Sequence, residues 1–208
     1  MQIGTLGAAR RYPVKSLRGE PLDSAQVDPS GVRGDRTSAL FVRSGNPRVG
    51  KTYRGKEDDR LHLLDDSHAA REAAAARGVE LELRLGDRFF DDAPISLLVD
   101  RWLDGLSRHL GYRVEWERFR PNFFVRADDG FAGTENDLIN AELSLGTVKL
   151  RVRSPIQRCV TPTYHLKGEP SDPRVLRFIA QERNACMGIY CDVIEPGIVR
   201  TGEPLSRD

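Results

Sequence analysis

The chain has 208 residues, 39% of them hydrophobic and 30% charged. That is one domain or two small ones, with a core large enough to stand without disulfide or metal staples, and it excludes a wholly disordered chain. The 32 basic residues against 31 acidic ones leave a net charge of +1, which gives no support to whole-domain binding of nucleic acid.

The chain opens on a short apolar run, Ile3 to Ala9, whose positive charges follow it, the wrong order for a signal peptide. No stretch approaches the roughly 20 apolar residues of a membrane span. The three cysteines, Cys159, Cys186 and Cys191, have no framework spacing, and together these points predict a soluble, reducing, cytoplasmic protein with no membrane partner. The first 45 residues read as strands and turns punctuated by Gly31, Gly34 and Gly45, with Ser38–Val42 the most β-prone run. A helix is predicted over 68–77, capped by Asp66 or Ser67 and ended by Gly78. Val79–Leu85 alternates apolar and charged residues as a half-buried strand does. A longer helix is predicted over 97–110, with Ser96 as cap, Gly111 as stop and Leu98, Trp102 and Leu106 as its stripe.

Residues 143–152 read as a hairpin turning at Gly146, and Asp172-Pro173 opens a third helix to about Arg183. Residues 188–195 and 197–199 read as a closing hairpin, with Cys191 in the apolar phase of its strand. Short strands without regular helix alternation predict an α+β fold with a barrel or sandwich core.

One motif competes for attention. Residues 45–52, Gly-Asn-Pro-Arg-Val-Gly-Lys-Thr, satisfy the Walker A pattern. A phosphate-binding loop also needs a helix starting at its Lys. Gly55 and the absence of an apolar helical stripe after Lys51 argue instead for a glycine-rich β-loop, so nucleotide binding stands as the weakest alternative.

Four other segments share one chemical character. Tyr12-Pro13-Val14-Lys15-Ser16 places an amine and a hydroxyl at a turn, and Gly34-Asp35-Arg36 puts an Arg after another turn. Arg118-Phe119-Arg120-Pro121-Asn122 reads as an extended run with both arginines on one side. Ile156-Gln157-Arg158-Cys159 joins an Arg to a thiol after a strand that Pro155 should end. Together they offer Lys, Ser and several Arg to a phosphate, Asn to a heterocycle edge, and one sulfur, its thiolate favoured by cationic neighbours, to a soft metal. Taken singly, each has a plain reading: Cys159 as a small buried hydrophobe, Lys15-Ser16 as an ordinary turn, Arg118 and Arg120 as a solvated strand face. The histidines, at 62, 68, 109 and 165, show no ligand spacing, although His165 is near enough in sequence to pair with Cys159.

In this order the segments resemble the MOSC family, the molybdenum-cofactor sulfurase C-terminal domain, with its N-terminal β-barrel partner. The resemblance rests on Tyr-Pro-Val-Lys-Ser-Leu-Arg-Gly at 12–19, Gly-Val-Arg-Gly-Asp-Arg at 31–36 and Phe-Asp-Asp-Ala-Pro-Ile at 90–95. It continues through Arg118–Asn122, Gln157-Arg158-Cys159 and Gly-Ile-Val-Arg-Thr-Gly-Glu-Pro at 197–204. It implies a β-rich, barrel-like fold with about three peripheral helices, divided into an N-terminal part over 1–88 and a MOSC domain over 89–208, packed together.

The resemblance also implies a molybdenum–molybdopterin cofactor, and the family carries a pyridoxal phosphate association. By position Cys159 looks like the thiolate ligand of molybdenum and the catalytic centre. Lys15, Ser16 and Arg36 resemble the residues that hold the pterin's phosphate, and Arg120, Pro121, Asn122 and Arg158 the pterin-facing set. Relatives of the amidoxime-reducing type reduce small N-hydroxylated compounds. No ferredoxin-type cysteine set is fused here, so a reductase of this kind would draw its electrons from a separate protein. The alternative is a carrier of the cofactor or its sulfur without turnover.

Overall fold

The computed structural model describes residues 1–86 and 89–208. Its strands are β1 (Gln2–Arg11), β2 (Glu20–Leu22), β3 (Ser24–Asp28), β4 (Gly31–Val32), β5 (Ser38–Ser44), β6 (Glu80–Leu85), β7 (Ile95–Val99), β8 (Phe123–Ala127), β9 (Glu142–Leu145), β10 (Val148–Gln157), β11 (Cys186–Glu195), β12 (Gly197–Arg200) and β13 (Pro204–Arg207). Its helices are α1 (Ser67–Ala75), α2 (Asp104–Leu110) and α3 (Pro173–Glu182).

Seven strands close into a barrel in the order β1-β8-β7-β11-β10-β9-β13, with β13 returning to β1. Closure pairs the strand edges that would otherwise offer themselves to other chains. Every neighbouring pair is antiparallel except β7 and β8, and that parallel pair is joined by the crossover that contains α2, as parallel pairing requires. The β-rich α+β class expected from the sequence is therefore the fold. Inside the barrel the alternate residues Val148, Leu150 and Val152 of β10 meet Ile189 of β11, Leu97 of β7 and Leu143 of β9 in one continuous core.

A second, smaller core lies outside the barrel. Strands β5 and β6 pair antiparallel and α1 packs on them, burying Leu40, Val42, Leu61, Ala70, Ala74 and Leu81 around Leu17. The Asp66 carboxylate caps α1, accepting from the amides of His68 (2.8 Å) and Ala69 (2.9 Å). Asp172 caps α3 in the same way, with Pro173 in the first turn.

The structure corrects four readings. The helix expected over 97–110 is a strand first: Ile95–Val99 is β7, followed by a 3-10 turn and only then α2. All five residues of β7 are buried, and a strand covered on both faces shows an unbroken apolar run that mimics a helical stripe. The closing hairpin does not form. Only Pro196 separates β11 from β12, too short for a hairpin turn, and the two strands join different sheets, β12 pairing with β3. Pro155 does not end its strand; β10 runs to Gln157 and takes the proline at a bulge between Pro155 and Gln157. Finally, Trp116–Phe119 is a 3-10 helix, not an extended run. The Walker A match also finds no helix: Thr52 bridges back to Phe41, and Lys51 stands exposed in a β-loop.

Candidate functional site: a cationic cavity between the barrel and the outer lobe

The turn at Tyr12–Ser16 leaves the end of β1 and is pinned to β5. The amide of Lys15 donates to the Ser38 carbonyl at 2.8 Å, and the Ser38 hydroxyl donates to the Pro13 carbonyl at 3.1 Å. Leu17 then plugs the outer core, so Lys15 and Ser16 are held between two anchored points. Ser16 takes φ 75°, a left-handed conformation that non-glycine residues adopt only under constraint. The Lys15 ammonium lies against Asp91, which is otherwise exposed.

The second turn is tied to the first. The Arg36 amide donates to the Tyr12 carbonyl at 2.8 Å, and the Tyr12 amide donates to the Asp35 carboxylate at 2.6 Å. Arg36 also sits at positive φ, 49°. Its guanidinium bonds Asp35 and lies 4.8 Å from the centre of the Tyr12 ring. Arg120, at φ 54°, lies 4.2 Å from the same ring. Tyr12 is thus a platform for two cations, with its hydroxyl donating to the Pro121 carbonyl at 3.2 Å.

The segment 118–122 divides its labour. Arg118 is 2% exposed; its Nε donates to the Pro162 carbonyl at 2.7 Å and its Nη1 to the Tyr112 hydroxyl at 3.4 Å. The Asn122 side chain is a brace. Its oxygen accepts from the Ser96 amide (3.1 Å), the Ser96 hydroxyl (2.9 Å) and Arg36 (3.4 Å), and its nitrogen donates to the Arg10 carbonyl (3.3 Å). Its oxygen is therefore committed to β7 and to Arg36, one N–H is committed to β1, and a single N–H is left for a heterocycle. Arg158, just beyond β10, donates to the carbonyls of Met187 (2.7 Å) and Phe119 (3.0 Å). Gly188, at φ 85°, makes room for it: a Cβ there would lie 3.0 Å from Arg158 Nη2 and 2.9 Å from the Leu97 carbonyl oxygen.

These pieces enclose a cavity of about 350 Å³, within the range of small-ligand sites. Lys15, Ser16, Arg36, Arg120, Asn122, Arg158 and Cys159 all line it; Pro121 does not, and serves through its carbonyl as the anchor of Tyr12. Cys159 is exposed, with Sγ 3.3 Å from the Thr161 hydroxyl, and is the cavity's one cysteine. Cys191 is buried in the barrel, which pushes its thiol up out of the usual range, and Cys186 is raised by burial as well. Among the described residues Asp91 is the one carboxylate in the lining, against Lys15, Lys56 and five arginines, 36, 54, 118, 120 and 158.

Three of those arginines carry a buried Nη2 with no partner: Arg118, Arg120 and Arg158. A buried donor without an acceptor costs on the order of 1–3 kcal/mol, so the wall is arranged for an anion. Burial lowers Arg120 and Arg158 to about 10. At Arg36 burial works against the cation, but Asp35 and Tyr12 outweigh it and the net shift is upward.

The sequence reading missed several lining residues. His62, not His165, lines the cavity: its Nε2 is 2.8 Å from the His165 carbonyl and its ring stacks on Tyr164 at 5.7 Å, whereas the His165 ring faces Glu169. Tyr164 donates to the Gly55 carbonyl at 2.7 Å and so ties the outer lobe to the barrel's 161–166 segment. Tyr190 lines the cavity from β11, opposite Ser154. Nothing in local spacing marks His62 or Tyr164, because a hundred residues separate them. Tyr12 was legible as the aromatic that opens the Lys15-Ser16 turn.

Among the described residues no group of three or more His, Cys, Asp and Glu side chains that could hold a metal ion comes together. Among the described residues no helix is long and apolar enough to cross a membrane.

A family model described as the MOSC domain matches residues 58–206. No curated protein matches the chain. Among solved structures the chain is similar to the YuaD protein from Bacillus subtilis, with a TM-score of 0.60, 16% identity, and 97% of this chain and 93% of that one covered. It is also similar to YiiM from Escherichia coli, with a TM-score of 0.51, 13% identity, and 98% and 69% covered. A third, described as a hypothetical protein, has a TM-score of 0.54, 12% identity, and 99% and 68% covered. At these identities the likeness is one of fold.

Proposed function

The chain belongs to the MOSC domain family, which is associated with molybdenum cofactor biology, and from that premise we propose that its cationic cavity holds the molybdenum–molybdopterin cofactor and reduces N-hydroxylated substrates. One observation carries this reading: residues from four distant segments, Lys15, Ser16, Arg36, Arg120, Arg158 and Cys159, line one cavity. The donor set fits such a group. It needs an oxyanion site, and the lining supplies cations with unpartnered Nη2 atoms on Arg120 and Arg158. It needs a soft ligand, and Cys159 is an exposed thiol in the same wall.

In this reading Lys15, Ser16 and Arg36 hold the phosphate, Arg120 and Arg158 face the pterin, and Cys159 ligates the metal. The bound group supplies two-electron redox chemistry at an open metal position. The chain's own part is to orient and to shield. Tyr12 keeps Arg36 and Arg120 side by side, Asn122 locks the strands beneath them, and the Tyr164–Gly55 bond holds the outer lobe over the cavity. Tyr190, raised above the usual tyrosine range by burial, keeps its proton in the lining.

The test is elemental and pterin analysis of protein made in cells rich in cofactor, with turnover of an amidoxime by a supplied electron donor. We expect near-stoichiometric molybdenum, at least tenfold less in Cys159→Ala, and reduction by the unsubstituted protein alone. No molybdenum in the unsubstituted protein, or metal and turnover both kept by Cys159→Ala, overturns the reading. Cofactor passed to an acceptor enzyme without turnover assigns the carrier role, which an exposed Cys159 also suits.

A further inference from the structure

A second cavity, of about 180 Å³, adjoins the first. His62, Arg118, Arg120, Thr161 and Tyr164 line both and form the partition between them. Lys15, Ser16, Arg36 and Arg158 belong to the larger cavity only. The smaller one adds Arg10 and Arg18, and Glu117 is its one carboxylate among the described residues.

Its cations are not used up by the fold. Arg10 donates through Nη2 to the Gly19 carbonyl and lies 6.0 Å from the Trp116 ring, yet its buried Nε has no partner. Arg118 presents an unpartnered buried Nη2, and Arg120 stands in the partition and is shared with the larger cavity. Arg18 is half exposed at the rim, with one nitrogen on Asp65 at 2.9 Å and the rest of its fork free to turn. Four guanidiniums around so small a space make an oxyanion site. It is distinct from the phosphate site proposed above, which uses residues on the far side of the partition. It also reaches the thiol: Thr161 lines both cavities, and its hydroxyl is 3.3 Å from Cys159 Sγ.

We infer that the smaller cavity is a substrate subsite that takes a carboxylate, so that the preferred substrate is an acidic molecule with its anionic tail on Arg10, Arg18 and Arg118 and its reducible group beside Cys159. What lies at Cys159 rests on the function proposed above; the oxyanion subsite rests on the arginines alone, and the experiment separates the two.

In the first arm the full-length apoprotein is titrated calorimetrically with succinate. Saturable binding is expected, weakened at least tenfold by Arg18→Glu, a rim substitution that leaves the core intact, and little changed by Lys15→Met. No succinate binding, or binding lost in Lys15→Met and kept in Arg18→Glu, overturns the subsite. In the second arm the molybdenum-loaded protein is given benzamidoxime and its 4-carboxy derivative. The acidic compound is expected to have the higher kcat/KM, and Arg18→Glu to reduce that preference at least tenfold. Equal kcat/KM values in the unsubstituted protein overturn the assignment to substrate. So does a nucleotide-bearing pterin released from the unsubstituted protein and lost in Arg18→Glu, which gives the oxyanion to the cofactor instead. A protein without molybdenum fails the proposed function while the first arm still decides the subsite.

Discussion

The barrel and the outer lobe face each other across the cavity, and they contribute to it in different ways. The barrel side is a wall of arginines whose guanidiniums are clamped by backbone carbonyls: Arg118 on Pro162, Arg158 on Met187 and Phe119. Its strands are held by pairings between residues far apart in sequence and by one large core. The lobe side is a two-stranded sheet and a nine-residue helix over a small core, and it meets the cavity through a turn, Lys15-Ser16, and through Arg54 and Lys56. The contrast teaches that the cation wall is built where long-range strand pairing and the larger core hold it, while the lobe adds its cations from a turn and loops over a smaller core.

The largest expected effect breaks the wall itself. Arg118→Ala removes the biggest fully buried side chain, strands the Pro162 carbonyl and leaves a cavity under two pockets. A loss of about 3–5 kcal/mol is expected, read from the urea midpoint; a loss below about 1 kcal/mol would show that the wall does not depend on it. On the lobe side, Leu40→Ala should cost about 2–4 kcal/mol. The effect should stay local: amides of β5 and β6 lose hydrogen-exchange protection while those of β10 and β11 keep theirs. Equal loss in β10 and β11 would mean that the two regions are one cooperative unit.

The same contrast explains what the sequence made legible. Local signals served well on the lobe: the β-prone run at 38–42, the Asp66 cap and the alternation over 79–85 became β5, α1 and β6. In the barrel they served for the hairpin turning at Gly146, which became β9 and β10, and failed at Ile95–Val99, which is buried on both faces and whose apolar run has no period of its own. Site residues that stand in short polar turns, Lys15, Ser16 and Arg36, could be named from chemistry. Arg118 was named with Arg120, but on an extended run and not as a buried group of a 3-10 helix, and Arg10 was not named, because its importance is that topology places it beside a cavity. Asn122 was read as a ligand group but is mainly a brace, since only the fold places Ser96 and Arg36 against its oxygen.

A smaller effect sharpens the lobe's part. Ser16 sits at φ 75° and lines the cavity. Ser16→Gly relieves that backbone strain, so stability should hold or rise by up to about 1 kcal/mol. Losing the hydroxyl should nevertheless weaken binding of inorganic phosphate by about three- to tenfold. Unchanged affinity in calorimetry would remove Ser16 from the oxyanion site and leave its conformation unexplained.

The smallest effect separates the two walls by pH. Burial sets Arg120 and Arg158 at about 10, against a usual 12.5. A cation whose folded value lies below its unfolded value costs stability while it stays charged in the folded state, and that cost is relieved as pH rises through 10 toward 12.5. Ligand binding runs the other way, because an anion needs the charge. Phosphate affinity should therefore hold across pH 8–9, above the ligand's own second ionisation and with both arginines still largely charged, and fall several-fold by about pH 10, where each is half neutral. The apoprotein's stability should begin to gain only from about pH 10 upward, relative to Arg158→Met, which has one such cation fewer. His62 does not blur the comparison, since burial lowers it from 6.5 and keeps it neutral across the whole window. If affinity and the stability difference fall together above pH 9, the barrel wall is not the source of the field and the exposed lysines of the lobe are.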